Sequence, residues 1–230
     1  MSTSRTVIAS LVAFALFACT EPKREEQSAP RAEPSPPAVT AAVAPTPSAP
    51  VPPAAEYDLD ASHSRVGFSV RHMMVSNTRG HFSKLSGAAH IDERDLAASR
   101  VSIDVDTASI DTADAKRDEH LRSADFFDVK AHPTMTFRST SVRAAGAGYA
   151  VAGELTIRGV TKPVVLEVDA LSPPVKDPWG GVRRGTRARA KIDRKAWGLT
   201  WNKALETGGV AVGDEVTLDL EIELIQKKPS

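Results

Sequence analysis

A single cysteine, Cys19, occurs among 230 residues, which excludes a disulfide framework and a thiolate metal cluster inside a folded domain. Aromatic residues make up only 5% of the chain, and basic and acidic residues balance at 29 each. Without net charge there is no whole-chain electrostatic case for nucleic acid or an acidic polymer as a partner, so shape and apolar surface must decide. No apolar run reaches the roughly 20 residues that a membrane-spanning helix requires. A nucleophile elbow is also missing and no thiol follows Cys19, so no hydrolase constellation stands behind an enzymatic reading and no catalysis is expected.

Proline is sparse except in one place, since ten of the sixteen fall between Thr20 and Glu56. That stretch has no aromatic residue, few large aliphatics and no period of 2 or 3.6, so it cannot bury enough surface to offset its ordering entropy. Residues 19–56 therefore read as a disordered Pro/Ala-rich tether. Ahead of it, Val7 to Ala18 form an apolar run preceded by Arg5, about a dozen residues long, and residues 1–18 read as a signal peptide. Leu16-Phe17-Ala18-Cys19 resembles the lipobox of bacterial lipoproteins, although Phe17 is bulkier than the usual occupant of its position. That resemblance implies acylation of Cys19 and anchoring at the periplasmic face of a membrane of the bacterial cell envelope. Plain secretory cleavage near Ala18 is the alternative, and either route exports the domain.

Residues 57–227 carry most of the aromatics and the alternating patterns, and they suit one domain with a substantial core. Val66, Phe68, Val70 and His72 alternate with Gly67, Ser69, Arg71 and Met73, a period of two with the bulkier set on one face. The same alternation recurs in Val101-Ile103-Val105, Met135-Phe137, Val151-Gly153-Leu155-Ile157, Val164-Leu166-Val168, Ala188-Ala190-Ile192 and Val216-Leu218-Leu220-Ile222-Leu224. Glycine-rich turns separate them at Ala145–Gly148, Arg158–Val160, Asp177–Gly181 and Thr207–Gly209. An all-β, eight-stranded antiparallel meander follows, closed into a barrel or folded as a sandwich. Between Thr112 and Val129 the alternation stops; Ala113 to Leu121 predicts one short helix capped by Thr112 or Asp111, and Ser123 or Asp125 is placed to cap a second turn carrying Phe126 and Phe127.

Three polar groupings compete for a functional role. His63, His72, His81 and His90 recur every nine residues, an odd spacing that defines no ligand cluster, and no metal is expected. Asp114, Asp118, Glu119, Asp125 and Asp128 are interleaved with Lys116, Arg117, Arg122 and Lys130, so a solvated helix with local ion pairs is the plainer reading than a carboxylate dyad. Arg187, Arg189 and Lys191 make one face of a strand basic, which serves solubility or edge protection, or contact with anionic lipid head groups.

The inward-facing set is apolar. It comprises Phe68, Val70, Met74 and Phe82, then Ile103, Val105, Phe126 and Phe127, then Met135, Phe137, Leu155 and Ile157, with Gly153, Ala188 and Ala190 among them. Large groups mixed with small ones either interdigitate into a solid core or leave a lined channel, and an eight-stranded barrel is near the size where both occur. The pattern alone leaves that choice open.

Several motifs, in order, resemble the YceI-like polyisoprenoid-binding proteins. They are Tyr57-Asp58-Leu59-Asp60 with His63-Ser64, Gly80-His81-Phe82, Ser109-Ile110-Asp111-Thr112, the run Arg117 to Asp128, and His132 to Phe137. They continue through Gly153 to Lys162, Ile192-Asp193-Arg194, Trp197-Gly198 and Val212 to Val216. The resemblance implies a lipocalin-like eight-stranded barrel whose elongated apolar cavity takes the tail of a polyisoprenoid lipid, such as an isoprenoid quinone or a polyprenyl phosphate, with no other cofactor. It therefore favours the channel, walled by the twelve inward residues named above. A cell-envelope stress or structural module with a solid core is the rival reading. A homodimer is compatible with the sequence but nothing in it requires one.

Overall fold

The computed structural model describes residues 51–206 and 208–228. The apolar run, Cys19 and the proline-rich stretch as far as Pro50 lie outside them, as does Thr207 of the Thr207–Gly209 turn.

Alternating side chains produce extended segments in chain order: β1 (Ala55–Leu59), β2 (Arg65–His72), β3 (Ser76–Phe82), β4 (Leu85–Ile91), β5 (Arg100–Asp106) and β6 (Ile110–Asp111). One helix, α1 (Ala115–Arg122), precedes β7 (Thr134–Ala145), β8 (Gly148–Ile157), β9 (Val160–Val168), β10 (Val175–Lys176), β11 (Val182–Asp193) and β12 (Val212–Gln226). β1 thus takes up Ala55 and Glu56, two residues earlier than the composition suggests.

Twelve segments form only eight staves. β1 and β2 both pair with β12, Leu59 opposite Leu224 and Arg65 opposite Glu221, so they are one stave broken at residues 60–64. β4 and β3 continue one another against that broken stave, and β5 and β6 do the same against β4 and β3. β7, β8, β9, β11 and β12 follow as single staves, each antiparallel to its predecessor, while β10 is a two-residue edge on β11. Because the first stave pairs with the last, the meander closes into an eight-stranded antiparallel barrel with one helix. Closure removes the exposed sheet edges that a sandwich of the same strands would keep.

The up-and-down path sorts the chain to two ends. One end gathers the β2–β3 turn, α1, the β8–β9 turn and the segment from Arg194 to Ala211. The other gathers the start of β1, the β7–β8 turn and the start of β11. At this second end Tyr57, Ala89 and Leu224 form a separate buried cluster that fills the interior. Arg183 joins the broken first stave to its neighbours there, with Nη1 2.5 Å from both Asp60 and Glu223 and Nε 2.8 Å from Asp177.

The helix differs from its sequence-based bounds. Asp114, not Thr112 or Asp111, caps it by accepting from the N–H groups of Lys116 and Arg117, and Ala113 before it takes a positive φ of 60°. Thr112 is instead held by Asp118, whose buried carboxylate accepts from its N–H and hydroxyl. Phe126 and Phe127 sit in a turn as expected, with Ser123 Oγ accepting from the Asp125 N–H at its start and donating to His120 C=O at the C-terminus of α1. In the β2–β3 turn Met73 and Met74 both adopt positive φ, 49° and 59°. Such backbone costs a side-chain-bearing residue on the order of 1 kcal/mol.

Ser62, donating through both its hydroxyl and its N–H, and the Arg183 guanidinium hold Asp60 well below the usual carboxylate range, against the opposing pull of burial. A carboxylate depressed in the folded state contributes stability that is complete above its unfolded value, about 3.9, and is lost as pH falls below that. Thermal stability is therefore expected to fall progressively on acidification from pH 5, and Asp60→Asn to flatten that acid limb. Melting curves between pH 3 and pH 7 check this, and an unchanged slope in the variant would rule Asp60 out as its source.

Candidate functional site: a one-ended apolar cavity

The barrel interior is not solid. A cavity of about 490 Å³ occupies the half nearer α1, and its lining reaches exposed residues of the rim, Arg71, His72, Lys116 and Arg117. On each stave the wall is built by alternate residues that the pleat turns inward, and it stops short of the Tyr57 cluster. The cavity is therefore closed at one end and open at the other.

Of the twelve sequence-predicted wall residues, eleven meet around this cavity. Phe68, Val70 and Phe82 come from the first two staves, Ile103 and Val105 from the third, Met135 and Phe137 from β7, and Leu155 and Ile157 from β8. Phe126 and Phe127 cover it from the turns after α1. Phe82 links the groups, its ring 5.8 Å from Phe68 and edge-on to Phe127 at 5.6 Å. Met74 is the exception and is corrected here: it lies beyond the strand in the β2–β3 turn, more than half exposed, and does not line the cavity. Alternation extends only as far as the extended backbone, and His72 is the last residue that has it.

Two close approaches shape the void. A side chain at Gly80 would meet the Phe68 ring at 2.5 Å, and one at Gly153 would meet the Phe137 ring at 2.5 Å. Glycine at these points lets each aromatic ring rest against the neighbouring stave.

The sequence reading missed much of the opposite wall and most of the rim. Val164, Leu166, Ile192, Leu199, Leu218 and Leu220 complete the lining. Several of these stood in recognised alternating runs, so the signal was present. Trp201 and His120 had no such signal; they meet at the rim, ring centroids 4.8 Å apart, with Phe126 against both. His120 also bonds Asp125 at 2.9 Å.

Arg194 holds the segment that carries Leu199 and Trp201. Buried, it donates to the carbonyls of Leu199, Trp201, Val212 and Gly213, with Asp214 Oδ1 at 3.5 Å. Burial pushes its pKa down from the ordinary value, and the carboxylates of Asp214 and Asp193 oppose this.

Of the other polar groupings, the helical one reaches the cavity rim through Asp114, Lys116 and Arg117, and the histidines and the basic strand face do not converge on it. His63 pairs with Asp60, His81 with Arg65 and His90 with Glu56, while His72 stands at the rim. The described residues include one cluster of metal-ligand type, Asp60, His63 and Glu223, and Arg183 already supplies a cation to both of its carboxylates. Arg187, Arg189 and Lys191 are not a free basic face. β12 places Glu221 and Asp219 directly opposite Arg187 and Arg189, and Glu215 on the diagonal from Lys191, as a ladder of ion pairs.

A closed antiparallel barrel of eight staves with an apolar interior open at one end defines the lipocalin-like class of cavity-bearing barrels. Within that class the chain belongs to the YceI-like family: residues 57–224 match the YceI-like domain. Protein YceI of Escherichia coli O157:H7 is 38% identical over 177 residues, covering 76% of this chain and 89% of the relative. Among solved structures, Burkholderia cenocepacia BcnA is 26% identical with a TM-score of 0.63, covering 72% of this chain and 98% of its own. A polyisoprenoid binding domain from Saccharophagus degradans shares the fold at 18% identity and a TM-score of 0.53, covering 74% and 98%.

Replacing Arg194 by alanine leaves four carbonyls without their donor, while Asp214 keeps Lys195 at 2.8 Å. A loss of about 3 kcal/mol in unfolding free energy is expected, as for other broken buried networks. Denaturant titration measures it, and a loss below about 1 kcal/mol would show that the segment is held by other contacts.

Proposed function

We propose that this protein is an exported, membrane-anchored lipid-binding barrel that holds the tail of a polyisoprenoid, of quinone or polyprenyl phosphate type, for transport, storage or shielding. The observation that carries the reading is the one-ended cavity, lined mainly by apolar side chains. At about 24 cal/mol per Å³ of cavity, 490 Å³ corresponds to roughly 12 kcal/mol of forgone contact. That is comparable with the whole stability of a domain, so a packing defect of this size would be selected against unless something fills it. The same observation counts against the rival reading of a solid structural module.

The size and shape of the void suit a flexible chain. An apolar cavity of about 150 Å³ takes one benzene ring, so this one takes on the order of twenty carbons, or about four isoprene units. A longer tail must extend through the rim or displace side chains. Each isoprene unit moved out of water releases on the order of 3 to 4 kcal/mol, so eight units would nominally exceed the ceiling of non-covalent affinity. Water is thus the wrong reference: in a membrane the tail is already dry, and the net preference for the barrel is small. Exchange with a bilayer follows more naturally than permanent retention.

Acylation of Cys19 would place the domain at the periplasmic face of a bacterial membrane. β1 begins at the barrel end opposite the rim, so a short linker there would hold the rim away from the anchoring bilayer. Residues 19–54, at about 3 Å each when semi-extended, span roughly 100 Å at most, enough for the domain to turn over or reach outward. Nothing in this reading requires a second copy of the chain.

Organic extraction and mass spectrometry of the purified protein are expected to recover a prenyl lipid. Its repeated absence, with no uptake of added quinone, would overturn the proposal. Leu155→Trp, which fills the lumen with its own side chain, is expected to cut quinone uptake at least tenfold while the unfolding temperature changes by only a few degrees. Undiminished uptake would place the ligand elsewhere.

A further inference from the structure

The β2–β3 hairpin projects past the rim and ends in three consecutive apolar residues, Met73, Met74 and Val75, which are 46%, 54% and 80% exposed. Its turn is closed by the Val75 N–H donating to His72 C=O at 3.0 Å, and the Met73 N–H donates to Ala211 C=O at 2.8 Å. The tip is therefore tied to the residue that leads into the neighbouring stave, β12, whose Val212 pairs with His72. Both central residues have positive φ, the backbone of a hairpin turn that strongly prefers Asn-Gly. Two methionines here combine an unfavourable backbone with the exposure of large apolar groups, and neither feature helps a purely structural turn. The hairpin from Arg65 to Phe82 contains Arg65, Arg71 and Arg79 and no acidic residue, and no carboxylate pairs with Arg71 or Arg79 among the described residues. An apolar tip above a basic collar, adjoining an opening lined by Arg71 and His72, has the polarity of an interfacial anchor for anionic lipid.

We propose that the Met73-Met74-Val75 tip is a membrane-docking finger that seats the open end of the barrel on an anionic phospholipid bilayer. Docked in this way, the apolar lumen is continuous with the acyl layer, and a prenyl tail crosses between them without traversing water. The inference rests on the lipid-binding reading for its purpose, but the docking itself is a separate property of the surface. Val175 and Trp179, 61% and 85% exposed, lie at the opposite end, so the experiment must also read which end meets the bilayer.

The test uses the full chain with Cys19→Ser, so that one introduced thiol carries an environment-sensitive fluorophore. Val75→Cys and, separately, Val175→Cys are labelled and mixed with vesicles of phosphatidylglycerol and phosphatidylethanolamine, some bearing nitroxide lipids. The expected result is blue-shifted, nitroxide-quenched emission at position 75, weakened by salt, and water-like emission at position 175. Introducing Met73→Asn with Met74→Gly into the Val75→Cys protein is expected to reduce quenching at least tenfold while the unfolding temperature stays level or rises by a few degrees, since this pair suits the turn. Water-like emission at position 75, quenching at position 175 alone, or quenching that survives the double substitution would each overturn the proposal. Prenyl-lipid content of the same preparations separates the two ideas: lipid present with a water-exposed tip sinks docking alone, and an embedded tip with empty barrels sinks the ligand alone.

Discussion

The pairing of the first stave with the last is the constraint on which everything else depends. β12 bonds β11 along one edge and β2 and β1 along the other, so a single long strand carries both the end of the meander and its closure. Once the ring is closed, every stave has a partner on each side, the β9–β11 seam being the shortest with pairs only at Val168–Ala188 and Glu167–Arg189, and most backbone polar groups are satisfied within the sheet. Only then can the interior be lined almost wholly by side-chain carbon. An open sheet of the same strands would present unpaired N–H and C=O groups at two edges, and water would follow them in. The closure spans more than 150 residues of chain, and its entropic cost is met by the continuous apolar face that it buries.

The two ends of the barrel are built on opposite principles. At the Tyr57 end, apolar packing is backed by charge: Arg183 is shared among Asp60, Asp177 and Glu223, and buried Arg184 pairs with Glu93. At the open end the void begins, aromatic rings replace ion pairs, and two inserted segments stand in for a solid cap. One is α1, fixed through Asp114 and through Asp118 holding Thr112; the other is the segment from Leu199 to Trp201, held by Arg194.

Much of the fold was legible in the residues. Seven alternating runs marked staves, and glycine-rich turns marked their junctions, because a strand with one face in the dry interior must alternate. β3 and β4 were not legible: their inward positions include Gly80, Gly87 and Ala89, and the two glycines are kept small by rings and backbone that approach from neighbouring staves. Met74 was misplaced because the pattern was carried into a turn. Arg187, Arg189 and Lys191 looked unpartnered because their partners sit roughly thirty residues later, and only register brings them opposite. The helix cap moved to Asp114 because Thr112 has a stronger engagement with Asp118.

By themselves, the residues determined that the domain is a β meander with one greasy face, that a short capped helix interrupts it, and which side chains point inward. These follow from local periodicity, which needs no knowledge of what lies across the sheet. Whether the inward side chains touch one another was decided only by the tertiary structure. A void is the difference between the perimeter of the closed ring and the summed volume of its contents, and neither quantity belongs to any one segment. The end at which the cavity opens, the ladder that neutralises β11, and the exposed methionine tip are likewise products of closure and register, since each joins residues that are distant in the chain.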